Sequence, residues 1–130
     1  MDEYQKQVAG LQAAQVIEAL RRNNMDGYFV ERAADVPEQV ARLLHDGDTV
    51  AVGGSKTLTQ TGVLDLLRSG QYRFIDRYAP DIPDMRKVFL DSFAADAYLS
   101  SVNAVTLNGE LYNVDGNSNR VAAICYGPRS

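Results

Sequence analysis

The chain has one cysteine, Cys125, and one histidine, His45. A single cysteine excludes an intrachain disulfide and a closed Cys-rich metal site. A single histidine leaves a His-based zinc site short of ligands, and no Ser/His/Asp constellation can be built around it. No metal site is expected. The chain also lacks a block of Lys and Arg: 13 such residues face 17 Asp and Glu, for a formal net charge of -4 at pH 7. Nucleic-acid affinity comes largely from neutralising phosphates, so no nucleic-acid partner is expected. No apolar run approaches the roughly 20 residues that span a bilayer. The first residues, MDEYQKQVAG, lack the basic-then-apolar layout of a secretory signal. Together these absences lead to the expectation of a soluble cytoplasmic protein without a membrane partner.

What is present is ordinary globular material, 45% hydrophobic and 23% charged over 130 residues. That length predicts a single domain, 1–130. Residues 2–23 read as a helix, with Ala13, Val16, Ile17 and Leu20 at helical spacing and Asn23-Asn24 at its end. Tyr28-Phe29-Val30 reads as a short strand. Asp35-Val36-Pro37-Glu38 has the spacing of a capping box and opens a helix whose apolar face is Val36, Val40, Leu43 and Leu44. Thr49–Val52 is a near-continuous apolar run, the mark of a strand buried on both faces of a parallel sheet. One helix is expected from the Gly53-Gly54-Ser55 turn to Ser69-Gly70. Arg73–Asp76 is the next strand, and a helix starts at Asp84. Strands are expected at Tyr98–Val102, Ala104–Leu107 and Glu110–Val114, the last two joined by a hairpin at Asn108-Gly109. Arg120–Tyr126 is a short apolar helix stopped by Gly127-Pro128. Alternating strands and helices predict an α/β fold with a mostly parallel sheet. The chain stops where a further strand would begin, so the domain is expected to be incomplete at its C-terminus.

Two loops stand where chemistry is usually placed. Gly53, Gly54, Ser55, Lys56 and Thr57 lie between a buried strand and a helix start. Glycines let backbone N–H groups approach a ligand, and a helix start favours an anion. The loop matches neither GxxxxGK[ST] nor GxGxxG, and a tight turn with Ser55 as N-cap explains part of it. The second loop is the stretch LNGELYNVDGNSNR, crowded with Asn108, Asn113, Asn117 and Asn119. Asn108 belongs to the hairpin, and Asn117 or Ser118 can cap the next helix. Asn113, Asp115, Gly116, Asn119 and Arg120 remain. A cation in the first turn of a helix is unfavourable unless an acid or an anionic ligand is near. Arg120 therefore pairs with Asp115 structurally, or it binds a carboxylate, phosphate or sugar through its fork of donors. Asp76-Arg77-Tyr78 follows a strand and could line the same crevice, but reads first as a solvated ion pair; His45 reads as a favourable charge at a helix end, and Cys125 as a small core residue.

The segments GGSKTLTQTGVLDLLRSG, FIDRY and NAVTLNGELYNVDGNSNRVAAICYGP resemble the lactate-utilisation (LUD) domain family over nearly the whole chain. The resemblance implies a three-layer α/β sandwich of the NagB/RpiA/CoA-transferase-like type. It also implies a role in oxidising lactate to pyruvate beside iron–sulfur and other redox subunits. Two departures stand out: Ser118 replaces an expected glycine, and the strand and helix that normally follow Gly-Pro are missing. An exposed sheet edge would then favour a homo-oligomer. The functional expectation is a small anionic metabolite or cofactor, of unknown identity, bound by Gly53, Gly54, Ser55, Lys56, Thr57, Asn113, Asp115, Gly116, Asn119 and Arg120. Asp115 is the only candidate general base among them. The alternative is a non-catalytic module whose function lies in assembly with redox partners.

Overall fold

The computed structural model describes residues 2–130. The chain divides into two compact units, Met1–Glu31 with Val102–Val114, and Arg32–Ser101 with Asp115–Ser130.

The first unit is built on helix α1, Glu3–Arg22. It starts with a capping box: the Asp2 carboxylate accepts the Gln5 N–H at 2.7 Å, and the Gln5 side chain accepts the Asp2 N–H at 3.3 Å. It ends at Asn23, whose side-chain amide donates to the carbonyls of Asn108 and Gly109 at 3.1 and 3.2 Å. That side chain ties the helix end to a hairpin of β4, Ala104–Val105, and β5, Leu111–Tyr112. The two strands pair antiparallel, Ala104 opposite Tyr112. Gly109 takes a left-handed φ of 76° in the turn and lies against the α1 backbone, so both conformation and space select glycine there. The hairpin is where the sequence puts it, with strands shorter than expected. Tyr28–Val30 is not a strand. Tyr28 and Phe29 are 55% and 56% exposed, and β-favouring side chains form a strand only where a neighbour takes their hydrogen bonds.

The second unit holds a parallel three-stranded sheet in the order β2-β1-β3. These strands are Arg73–Ile75, Thr49–Val52 and Ala97–Leu99. β1 is central, with Val50 opposite Phe74 on one side and Ala97 on the other. Val50 and Val52 point to one face and join Leu58, Val63, Leu64, Leu67 and Tyr72 in the core. That side is covered by α2, Val36–Leu43, with α3, Lys56–Gln60, and α4, Val63–Leu67. Ala51 points to the opposite face and is fully buried. Helix α5, Met85–Ser92, packs on β1 and β2. The fold is thus α/β, a parallel sheet flanked by helices. Helix α6, Asn119–Tyr126, closes the chain. Beyond it, Ser130 bridges the outer edge of β3, donating to the Asp96 carbonyl and accepting from the Tyr98 N–H.

Three local expectations are corrected. The helix foreseen from Ser55 to Ser69 is two helices, α3 and α4, broken at Gly62 with φ 80°. Asp35 does not close a capping box. It ends a 3₁₀ turn, Ala33–Asp35, and its carboxylate takes the Arg32 guanidinium at 2.8 and 2.9 Å. Cys125 is exposed rather than in the core. The buried side of α6 is carried by Arg120 and Ala123, three residues apart, and two further residues turn Cys125 to the opposite side. Among the described residues no helix is long and apolar enough to cross a membrane.

Candidate functional site

The C-terminal end of β1 runs into Gly53, whose N–H donates to the Leu99 carbonyl at 2.9 Å and extends the ladder to β3 by one residue. Gly53 is buried. A Cβ there would meet Arg120 Cδ and Ser100 Oγ, each at 2.9 Å. Close approach, not unusual torsion, requires glycine at this position. Gly54 is different. It is exposed, and a Cβ would make ordinary contact with the Arg77 guanidinium, nearest at 3.5 Å. Ser55 is buried: its hydroxyl accepts the Leu58 N–H as N-cap of α3, and its N–H donates to the Tyr78 hydroxyl, both at 3.2 Å. Lys56 and Thr57 are exposed in the first turn of α3.

Arg120, in the first turn of α6, is only 8% exposed. Its stem lies over Gly53, and its Nη1 donates to the Ser101 carbonyl at 2.8 Å. Asp115 caps this helix from outside, its carboxylate accepting the Val121 N–H at 3.1 Å. The N-cap position itself, Ser118, has a left-handed φ of 60° and no side-chain cap. The cap expected from Asn117 or Ser118 therefore comes from Asp115, which also places negative charge at the positive end of the helix. Asn119 begins α6. Gly116 is exposed, with nothing near the position of a Cβ. Asn113 belongs to the other compact unit, where its amide donates to the Leu111 carbonyl at 3.5 Å.

The segment after β2 departs from the ion pair expected of it. Asp76 does not pair with Arg77. Its carboxylate takes Arg68 at 2.8 and 3.2 Å and the Tyr78 N–H at 2.9 Å. The Arg68 guanidinium therefore holds the Asp76 carboxyl below its ordinary value, against the opposing effect of burial. Arg77 instead lies over aromatic rings, 5.2 Å from the centre of Phe89 and 5.6 Å from that of Tyr78. Tyr98, on β3, is half-buried, and burial pushes its phenol above the ordinary value, while Arg77 and Arg120 pull it down. Arg77 follows β2 by two residues, as Gly54 follows β1, the strand-end position that placed this segment beside the crevice in the sequence. Lone His45 is exposed, its Nδ1 3.5 Å from the Asp48 carboxylate, a surface pairing near the end of α2. Among the described residues no three His, Cys, Asp or Glu side chains gather as metal ligands.

The ends of three parallel strands thus bring together Gly53 and Ser55 from β1, Arg77 and Tyr78 from β2, and Ser100 beyond β3, with Arg120 reaching in from α6. Crevices outside the carboxyl ends of parallel strands are where α/β folds place their ligands. The model of the LUD domain matches residues 13–130. The chain therefore belongs to the LUD domain family, which is associated with lactate utilisation. No curated protein and no solved structure matches it.

Proposed function

We propose that the chain is a protein of organic-acid (lactate) utilisation that binds a small anionic metabolite at the C-terminal ends of β1, β2 and β3. The supporting observation is the convergence of Arg77 and Arg120 on the Gly53-Gly54 turn. Two cations beside a backbone that carries no side chain favour an anion over a neutral ligand. Lys56 and Thr57, exposed beside the turn, add a charge and a hydroxyl to the same region. Asp115 is assigned to capping α6, and proton transfer is not part of this reading.

A second reading, assembly with iron–sulfur redox subunits or with further copies of the chain, draws on apolar side chains left on the first unit. Tyr4 and Leu11 on α1 are each about three-quarters exposed. With exposed Val8 they recur at i, i+4 and i+7 and so share one face of α1, and a contiguous exposed apolar patch marks an interaction site.

Native mass spectrometry of the purified protein, with and without added pyruvate, lactate or phosphate, reports bound anion and subunit count together. A retained or titratable anion supports the first reading. A chain that takes up none of the three, yet assembles, supports the second.

A further inference from the structure

From Arg77 we infer a specificity-determining role: its guanidinium edge receives the carboxylate of the ligand. This rests on the anion-binding reading above and names the residue and the chemical class within it.

Arg77 sits two residues beyond β2 and is half-buried. The acid beside it, Asp76, is taken by Arg68 and by the Tyr78 N–H. Among the described residues no hydrogen bond or ion pair uses the Arg77 guanidinium, whereas Arg32, Arg42 and Arg68 each meet a carboxylate within 3 Å. Half-burying a cation without an acid partner is costly and calls for a counter-charge.

The geometry indicates which part of the group is available. The position of a Gly54 Cβ is nearly equidistant from Nη1, Cζ and Nη2 of Arg77, at 3.5, 3.7 and 3.7 Å. An in-plane approach between the two nitrogens would leave Cζ clearly the farthest, so Gly54 lies against the flat face. The Phe89 ring, 5.2 Å away, adds a cation–π contact that restrains the group. The donors of a guanidinium lie in its plane, so the turn that lies against its face leaves the N–H edge uncovered. That edge matches a planar carboxylate through two parallel hydrogen bonds.

Local charge favours an anion. The charged groups that act on the neighbouring Tyr98 phenol are Arg77 and Arg120, both positive, and Asp115, negative. Positive charge exceeds negative there, which suits an anion. The preference for a carboxylate over phosphate therefore rests on the planar fork of Arg77, not on the charge count. A tyrosine phenol is protonated at neutral pH, and burial moves Tyr98 further in that direction, so its hydroxyl is a donor there.

The test is calorimetric titration of the whole chain with sodium pyruvate and, separately, with inorganic phosphate, at matched ionic strength. Arg77→Lys keeps the charge and loses the fork. Arg77→Met keeps an apolar stem against Phe89 and loses every donor. Pyruvate is expected to bind wild type more tightly than phosphate, to weaken about tenfold in Arg77→Lys, and to be lost in Arg77→Met. Unfolding temperatures near wild type show that both variants fold. Wild-type pyruvate binding that survives in both variants overturns the role of Arg77 and leaves the anion site standing. Phosphate bound more tightly than pyruvate overturns the carboxylate class. A wild type that binds neither probe overturns this inference and the reading beneath it.

Discussion

Gly53 and Arg120 are 67 positions apart in the chain and in contact in the fold: the arginine stem occupies the space that a side chain at Gly53 would need. The arginine is held there by its hydrogen bond to the Ser101 carbonyl. It is also buried, so it cannot swing away into solvent.

Gly53→Ala is expected to destabilise the protein by about 1–3 kcal/mol, because the added methyl meets the middle of a restrained side chain rather than its mobile tip. Gly54→Ala, one residue on, is expected to fall within about 0.5 kcal/mol of wild type, since its Cβ makes ordinary contact. Urea unfolding of the two variants measures the difference. Equal losses would mean that Gly53 is not constrained by Arg120.

Arg120→Ala is expected to lower stability by about 1.5–3 kcal/mol, from the lost contact to Ser101 and the lost packing of its stem. In that background the cost of Gly53→Ala should shrink but not vanish, because the arginine atoms are gone and Ser100 Oγ remains. A double-mutant cycle by chemical denaturation gives the coupling. Additive losses would show that the two residues act independently.

Gly109→Ala is expected to cost at least about 2 kcal/mol. Its left-handed φ strains any side chain, and a Cβ would come within 2.8 Å of the α1 backbone at Ala19 and Leu20. Backbone inside a helix cannot step aside as a side-chain tip does. Thermal unfolding monitored by circular dichroism tests it, and an unchanged midpoint would show that α1 and the hairpin do not pack this closely.

Acid stability should depend on Asp76. Its folded carboxyl lies below the ordinary 3.8 because Arg68 holds the charged form. A depressed folded value means that the contribution is present above 3.8 and is lost as pH falls through the folded value. Asp76→Asn should therefore lower stability at neutral pH and flatten the acid limb of the stability–pH curve. Both groups are partly exposed, so added salt should shrink the effect. An acid limb identical to wild type would remove Asp76 from the account.

Contacts that close within a few residues were legible in the sequence. Ser55 caps α3 three residues on, Asp84 caps α5 two and three residues on, and Asn108-Gly109 turns the hairpin. The burial of Val50 and Val52 followed from an unbroken apolar run. In each case the partner lies in the next turn or strand, or the hydrophobic pattern itself requires burial.

Where two partners compete, sequence could not choose. Asp35 had its own helix to cap and Arg32 nearby, and took the arginine. Asp76 had Arg77 beside it and paired with Arg68, eight positions back. Asp115 was a candidate partner for Arg120 and caps α6 through Val121. Side-chain hydrogen bonds gain about as much from one partner as from another, so spacing alone does not rank them. Parallel strand pairing decides by carrying residues distant in sequence to the same sheet end. The sequence determined the caps at Ser55 and Asp84 and the Asn108-Gly109 turn, whose contacts are local, and the buried run of β1, whose apolar pattern requires burial. Only the tertiary structure decided that Arg77 lies against Gly54 and Arg120 against Gly53, because those contacts exist only once β1, β2 and β3 lie side by side.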